Sequence, residues 1–150
     1  MKDLVWKNTL AKQRAFARLI EQFPDAVCLA WYSKTRDRWK QELVEKSVYT
    51  EPVDIKLAAE ITSGAVDGKT IIFLEHNLSL QKEEDFGARC RPLEAIVLSS
   101  LEDDLFHDIK DNLVSLMDKM GMKEDEFLEN PMLTKSLKRK QHENDEMGIS

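Results

Sequence analysis

The chain has 150 residues, with 22 basic and 28 acidic side chains and a formal net charge of −6. This length suits one domain, and the acidic balance argues against a protein dedicated to DNA or RNA, whose phosphates need a concentrated basic surface. Cys28 and Cys90 are too few for a disulfide framework, and we see neither an apolar run of about 18 residues nor a signal-peptide pattern. We therefore expect a cytoplasmic protein with reduced cysteines.

Hydrophobic periodicity divides the chain into alternating helices and strands. Apolar side chains at helical spacing predict the helices, and short continuous apolar runs predict the strands. The predicted helices cover residues 1–23, Lys34–Lys46, Leu80–Phe86, residues 102–120 and a last helix that begins at Pro131. The predicted strands are Ala26–Trp31, Ser47–Thr50, Thr70–Leu74 and Glu94–Leu98. This alternation indicates a parallel sheet with helices on both faces.

Local signals set the expected boundaries. Ser33 and Ser100 are the predicted N-caps of the helices that follow them, and Gly121 is a predicted C-cap. The pattern over residues 54–61 fits either a strand or a helix. Beyond Lys138 the chain is polar, and we expect it to fray. The predicted organisation is an N-terminal helix at 1–24, an α/β domain at 25–120, and a C-terminal helix with a frayed tail at 121–150.

The sequence lacks a complete phosphate-binding loop. Such a loop needs clustered glycines and a lysine at the head of a helix, whereas the five glycines of this chain are scattered. Gly68-Lys69-Thr70 matches only the end of such a loop and precedes a predicted strand, where its amides would point away from a phosphate. We therefore do not expect a self-sufficient ATPase.

Two groups of reactive side chains have both a chemical and a structural interpretation. Glu75 and His76 follow the strongest predicted strand, at an edge where parallel sheets display functional side chains, and could form an acid/base pair. No nucleophile can be named beside them. Cys90 lies between Arg89 and Arg91, which would favour its thiolate, but an ordinary loop cysteine is the plainer interpretation.

The charged clusters also have two interpretations each. Glu102-Asp103-Asp104 could recruit Mg²⁺, but carboxylates are equally favoured at a helix N-terminus. The basic run Lys135–Lys140 could contact an acidic partner, but it also complements the dipole of the last helix. His76, His107 and His142 lack the spacing of metal ligands, and we expect no metal site.

Methionines and leucines crowd the last third of the chain. Adaptable methionine surfaces can accept several partners, whereas residues at helical spacing can instead form the seam that holds the last helices on the sheet. The crowded residues are Leu113, Leu116, Met117, Met120, Met122, Met132 and Leu133.

Three runs near the C-terminus carry a family resemblance. They are Ser100-Leu101-Glu102-Asp103-Asp104-Leu105, then Leu116-Met117-Asp118-Lys119-Met120-Gly121-Met122-Lys123-Glu124-Asp125-Glu126, then Asn130-Pro131-Met132-Leu133-Thr134-Lys135-Ser136-Leu137. Together they resemble SecA, the motor ATPase of bacterial preprotein translocation, at the end of its second helicase-like motor domain and the start of its long scaffold helix. The family has Ser-Leu-Glu-Asp-Asp-Leu in the first run and His-Pro-Met-Val-Thr-Lys-Ala-Ile in the third.

Upstream, the resemblance is fainter. Asp54-Ile55-Lys56-Leu57 is similar to the end of the fifth helicase motif of the family, but Thr50–Val53 replace the preceding Gly-Arg-Gly-Thr. Phe86–Arg91 stands where the family has Arg-Gly-Arg-Ala-Gly-Arg, with the first glycine and the last arginine in place. The resemblance implies that Asp54 and Arg91 are the nucleotide-binding residues, with Arg91 as an arginine finger.

The resemblance also implies a fold. We expect a three-layer RecA-like α/β domain of the P-loop NTPase type, similar to the C-terminal domain of helicases, with a C-terminal helical extension. Residues 25–120 would correspond to the second motor domain. In two-domain motors the nucleotide sits between the domains, so one half cannot complete the site.

For function, we expect a freestanding, degenerate SecA-like protein that is non-catalytic. It would act as an interaction or regulatory module through a protein partner or self-association, with SecA or the export machinery as candidate partners and without nucleic acid, membrane span or cofactor. The alternative is an ATP-binding component linked to protein export, in which ATP and Mg²⁺ occupy only a site shared with another chain.

Overall fold

The computed structural model describes all residues from Met1 to Ser150. Five strands form one parallel sheet in the order β1-β5-β4-β2-β3. The strands are β1 (Lys2–Trp6), β2 (Val27–Ala30), β3 (Ile55–Leu57), β4 (Thr70–Phe73) and β5 (Glu94–Ser100). The helices are α1 (Thr9–Gln22), α2 (Ser33–Glu45), α3 (Leu80–Arg89), α4 (Lys110–Lys119) and α5 (Pro131–Glu146). Short 3₁₀ turns follow β3 at Ala58–Glu60 and β5 at Asp104–Phe106.

Helices cover both faces of the sheet because the central strands are apolar on both sides. On one face, Phe16 of α1 meets Trp39 of α2 edge to face, with ring centroids 5.3 Å apart, inside a cluster of 14 buried residues. On the opposite face, α3 contributes Phe86 to a second buried cluster, and α5 packs against α3. This three-layer arrangement confirms the predicted α/β fold and is consistent with a RecA-like domain. None of the helices has the length and apolar character needed to span a membrane.

The N-terminal segment differs from its prediction. The sequence predicts one helix over residues 1–23, whereas the structure has the strand β1 before α1 begins. Leu4 pairs with Leu98 in the parallel register of β1 with β5, and burial on both faces outweighs the helical spacing of the apolar residues. Asn8 then caps α1 by accepting a hydrogen bond from the Ala11 amide at 2.8 Å. The N-terminal segment is therefore part of the sheet.

The C-terminal tail also differs from its prediction. The polar residues after Lys138 do not fray, because α5 continues through them. Gln141 and Asn144 are buried and donate hydrogen bonds to the carbonyls of Asn77 and Leu78, at 2.7 and 2.9 Å. A polar helix can dock firmly when its buried amides find carbonyl partners.

Four local predictions are wrong. Ser47–Thr50 is not a strand, because the first of these residues turns the chain after α2 with φ of 54°. Tyr32 rather than Ser33 is the N-cap of α2. Ser100 caps no helix, since it is the last residue of β5, and the single helix predicted over residues 102–120 is divided into a 3₁₀ turn and α4.

Other boundaries and the remaining strands are confirmed. Gly121 follows the C-cap of α4 with φ of 69°, a left-handed conformation that glycine adopts without strain. Pro131 occupies the first turn of α5, and Asn130 caps that helix by accepting a hydrogen bond from the Met132 amide at 2.8 Å. Residues 54–61 resolve into β3 followed by a 3₁₀ turn.

The methionines of the last third of the chain divide between the two predicted roles, the packing seam and the exposed surface. Met117 is fully buried with Leu133 and Leu137 in a third apolar cluster, which joins α4 and α5 to the rest of the fold. Met120 and Met132, in contrast, are exposed. One part of the set is therefore core and the other part is surface.

Candidate functional site

The candidate site lies at the carboxyl edge of the sheet, between the parallel neighbours β2 and β4. The connections that leave these two strands run to opposite sides of the sheet. β2 continues through α2 to the outer strand β3, whereas β4 continues through α3 to β5 on its other side. In open α/β sheets, ligands bind in the crevice that such a reversal opens beyond the strand ends. The loops that follow β2 and β4 therefore mark the expected ligand position.

A cleft of about 310 Å³ lies at this position. It is lined by Tyr32 after β2, by Glu75 and His76 after β4, and by Ser99 near the end of β5. Burial raises the pKa of Tyr32 above its ordinary value. The family-signature residues that line the cleft are Glu102, Asp103, Asp104 and Leu105. The cleft thus joins the switch point of the sheet to the most specific motif in the sequence.

Glu75 occupies the N-terminal end of α2 inside this cleft. Its Oε2 accepts hydrogen bonds from the backbone amides of Trp31 and Tyr32, at 3.1 and 3.3 Å. Its Oε1 accepts a hydrogen bond from Thr35 Oγ1 at 2.6 Å. Burial raises the pKa of Glu75 above its ordinary value, and these donors oppose the shift without cancelling it. Because helix N-termini are where proteins bind phosphate, Glu75 takes the position that an anionic ligand would need.

The other two helices that begin at this edge hold carboxylates in the same way. At α1, Glu102 accepts a hydrogen bond from the Thr9 amide at 2.7 Å. At α3, Asp145 accepts one from the Gln81 amide at 3.0 Å. A further hydrogen bond from Ser79 and that amide bond lower the pKa of Asp145. A carboxylate of the same chain thus binds a first-turn amide of α1 and of α3, and Glu75 binds the two amides that lead into α2.

Asp103 is held by a buried lysine rather than by a helix end. Lys12 Nζ lies 2.9 Å from its Oδ2 and 5.4 Å from the ring centre of Trp39, and the lysine side chain is 2% exposed. The Ser100 amide donates a second hydrogen bond to Asp103 at 3.0 Å. Of the acidic run, only the exposed Asp104 has neither a hydrogen bond nor an ion pair. No group of three or more potential metal ligands is arranged to hold an ion.

His76 does not pair with Glu75, as the sequence suggests, but with two carboxylates from distant elements. Its Nε2 lies 2.6 Å from Asp3 on β1, and its Nδ1 lies 2.8 Å from Glu83 on α3. Burial alone would lower the pKa of His76, but the hydrogen bonds and charges of these carboxylates outweigh it and raise the pKa to about 10. Burial likewise opposes the effect of His76 on Asp3, whose pKa is nevertheless lowered. His76 is therefore a cationic bridge between three elements.

Neither cysteine is placed for chemistry at this edge. Cys90 is 1% exposed and is the C-cap of α3, so the structure favours the plainer interpretation of this cysteine over a reactive group between Arg89 and Arg91. Cys28 is buried in β2, and that burial raises the pKa of its thiol to about 12. Both are packing residues.

Asp54 and Arg91 lie away from the cleft. Asp54 is exposed just before β3, with a carboxylate oxygen 3.9 Å from Lys56 Nζ. Arg91 is exposed between α3 and β5. Both precede a strand, so they lie at the amino edge of the sheet, and the three strand spacings from β5 to β3 separate them by about 14 Å. The structure does not bring them together at one site within this chain.

The other family-signature residues shape the fold around the cleft. Leu101 is buried, and its amide extends the β1–β5 pairing by donating to the Trp6 carbonyl at 3.1 Å. Gly121 ends α4, Pro131 begins α5, and Met132 is exposed on the first turn of α5.

Sequence reasoning missed the partners that matter most. Lys12 carried a usable signal, because it stands four residues before Phe16 on the apolar stripe of α1, where a lysine must find a buried partner. Asp3 and Glu83 had no such signal in the sequence, because their contact with His76 depends on the packing of β1 and α3. Thr9, Tyr32 and Thr35 were missed for the same reason.

The chain is similar in sequence to protein translocase subunits SecA of several bacteria. The chain is 39% identical over 93 residues to the protein translocase subunit SecA of Porphyromonas gingivalis, which covers 59% of this chain and 8% of the relative. It is 34% identical over 93 residues to SecA of Bacteroides thetaiotaomicron, with the same coverage. It is 33% identical over 102 residues to SecA of Chloroherpeton thalassium, covering 65% of this chain and 10% of the relative.

The matches cover only a small part of each relative, which limits what can be concluded from them. No family model matches the chain. The chain spans at most 10% of the length of these relatives, so the similarity concerns a segment of SecA and not the whole translocase subunit. Over 59% of its length, this chain is SecA-related in sequence.

Proposed function

We propose that this protein is a non-catalytic, SecA-related module that acts in protein export through contacts with another protein. The observation that carries the proposal is the carboxylate of Glu75 at the N-terminal end of α2, on the switch point of the sheet. A phosphate at this position would have to displace the half-buried carboxyl group of Glu75 from the Trp31 and Tyr32 amides. Glu102 and Asp145 extend the same arrangement to α1 and α3.

Exposed apolar side chains support a role in protein contacts. Leu116 on α4 and Met120, the C-cap of α4, stand four residues apart and are exposed, and Met132 is 68% exposed on the first turn of α5. Methionine adapts to irregular partner surfaces because its side chain is unbranched and polarisable. These residues lie in two of the runs that resemble SecA, so the similarity and the exposed surface coincide.

A calorimetric titration tests the non-catalytic part. The purified chain is titrated with ATP and Mg²⁺ to millimolar concentration, and we expect no heat of binding. Glu75→Gln serves as the matched variant, because it removes the charge but keeps a carbonyl oxygen that can accept from the amides. Saturable one-to-one binding to the unaltered chain would contradict the proposal.

An affinity purification tests the export part. The tagged chain is captured from a lysate that contains SecA and the export machinery, and SecA or another export component is expected to be retained. The double variant Met120→Ser and Met132→Ser should reduce retention, because it removes exposed apolar surface without touching the core. Val44→Ser on the distant α2 is the matched control. Absence of every export component from the retained fraction would contradict this part.

A second candidate function is an ATP-binding component whose site is shared with another chain. The observation that favours it is the exposure of Asp54 and Arg91, which leaves both accessible to a partner at the amino edge of the sheet. Here nucleotide binding is expected only in a mixture with SecA, and Arg91→Ala should abolish it. Identical titrations with and without SecA would remove this candidate.

A further inference from the structure

The cleft at the switch point holds two groups with no internal function. Ser99 is 1% exposed, yet its Oγ lacks any hydrogen-bond partner although the residue lines the cleft. Asp104 lines the same cleft, and its carboxylate has neither a hydrogen bond nor an ion pair. A buried hydroxyl without a protein partner is uncommon in folded proteins, and its capacity to form a hydrogen bond is therefore open to a bound group.

The charge of the cleft favours a cation. Its lining contains four carboxyl groups, at Glu75, Glu102, Asp103 and Asp104, and three basic side chains, at Lys34, Arg38 and His76. Arg38 is itself paired with Glu42 at 3.3 Å. The positive charge of His76 is balanced by its own two carboxylates, and Lys12 balances only Asp103.

The shape of the cleft favours a side chain with an apolar stem. Leu78, Leu105 and Phe106 line it next to the polar groups, so a methylene chain can lie against carbon while its head reaches Asp104 and Ser99. A guanidinium group offers several N–H donors in one plane, enough for a carboxylate and a hydroxyl together. A cleft of about 310 Å³ can accommodate one such side chain.

We infer that this cleft binds an arginine side chain of a protein partner, with Asp104 as the carboxylate acceptor and Ser99 as the buried acceptor. This inference rests on the proposed function, because it names the chemistry that such a partner presents. It also gives the exposed Asp104 of the signature run a role, which neither helix capping nor ion pairing supplies.

A peptide titration tests it. The ¹⁵N-labelled chain is titrated with the blocked tripeptide acetyl-Gly-Arg-Gly-amide, and the backbone amides of residues 99–105 should shift in a saturable way. The same peptide with citrulline, which keeps the shape but not the charge, should bind about tenfold more weakly. Equal binding of the two peptides, or shifts confined to other residues, would overturn the inference.

Variants distinguish binding at this cleft from a general attraction between the acidic chain and a basic peptide. Asp104→Asn should weaken the arginine peptide about tenfold, whereas Asp25→Asn, the same change at the amino edge of the sheet, should leave it unchanged. Ser99→Ala should weaken binding without lowering Tm, since the hydroxyl has no partner to lose. A fall in Tm with unchanged binding would show an internal role for the hydroxyl and contradict its assignment.

Two further results would also decide the matter. If MgCl₂ or spermidine shifts the same amides as strongly as the peptide, the cleft is a general cation site and the arginine assignment is wrong. If the arginine peptide fails while an export component is still retained in the affinity purification, only this inference is overturned and the proposed function stands.

Discussion

The layer formed by α1 and α2 and the layer formed by α3 and α5 cover opposite faces of the same sheet, but different interactions hold them. Between α1, α2 and the sheet, most contacts are carbon on carbon, with Phe16 against Trp39 at the centre, and the buried Lys12, paired with Asp103, is a charged exception. Around α3 and α5, buried polar groups carry much of the contact: His76 between two carboxylates, and the amides of Gln141 and Asn144 on loop carbonyls.

The difference shows how each layer specifies its position. Apolar packing tolerates many arrangements of similar volume, whereas hydrogen bonds and ion pairs require particular partners at particular distances. The polar layer lies beside the candidate cleft, and its Leu78 and His76 are also part of the cleft lining. α1 and α2 line the same cleft with Thr9, Lys34, Thr35 and Arg38, so both layers contribute to the geometry of the site.

The largest expected loss of stability comes from a substitution in the apolar layer. Phe16→Ala removes a fully buried ring and should lower the free energy of unfolding by about 3–5 kcal/mol, the usual cost of a lost aromatic side chain and its cavity. Urea denaturation measures the loss. Val44→Ala on the exposed side of α2 is the control and should change stability by no more than about 0.5 kcal/mol. A loss at Phe16 below about 1 kcal/mol would mean that this layer repacks freely.

Removing the cation from the polar layer should cost nearly as much, but with a different dependence on pH. His76→Ala leaves Asp3 and Glu83 buried without their partner, which should cost about 3 kcal/mol at pH 7. Lowering the pH towards 5 should recover part of that loss, because protonation of one carboxylate relieves the unpaired charge. Phe16→Ala should show no such recovery, and equal behaviour of the two variants would contradict the ionic interpretation.

The intact chain should lose stability in alkali because of the same residue. The folded pKa of His76, about 10, lies above its ordinary value of 6.5, so its contribution is complete below pH 6.5 and disappears as the pH rises through 10. Asp3, whose folded pKa is lowered, acts in the opposite direction and loses its contribution in acid. Urea denaturation from pH 6 to 10.5 measures the effect, with His76→Gln as the reference that does not titrate there. Parallel curves for the two proteins would contradict it.

The smallest effect tests the docking of α5. Asn144→Ala removes the hydrogen bond to the Leu78 carbonyl and should cost about 1 kcal/mol. Hydrogen exchange should become faster in the second half of α5 and in the loop after β4, while α1 stays protected. Glu143→Ala, on the exposed side of the same helix, is the control. Uniformly faster exchange across the chain would show that α5 is not a local unit.

Much of the fold could be predicted because it depends on local patterns. Apolar runs predicted β2, β4 and β5, Pro131 predicted the start of α5, and the alternation of elements predicted a parallel sheet. The strand β1 was missed because it has only five residues and leads directly into an amphipathic helix. So short a segment shows no clear hydrophobic pattern that separates it from the helix. The second half of α5 was missed because polar composition says nothing about carbonyl partners elsewhere in the chain.

The position of the candidate site could be predicted only in part. The end of the strand that leads to Glu75 and His76 pointed to the carboxyl edge, and both residues line the cleft, whereas Asp54 and Arg91 lie at the amino edge. Their roles could not be predicted, because hydrogen bonds such as Glu75 to the Tyr32 amide join residues that are distant in the chain.

The sequence by itself determined the α/β class, most of the element order and the similarity to SecA, because these depend on periodicity, turn residues and residue identity. Only the tertiary structure decided which charges meet. It placed His76 between Asp3 and Glu83, put Glu75 on α2, and left Asp104 and Ser99 without partners. The physical reason is that a buried charge is stabilised by what surrounds it in space, and residue order does not fix those surroundings.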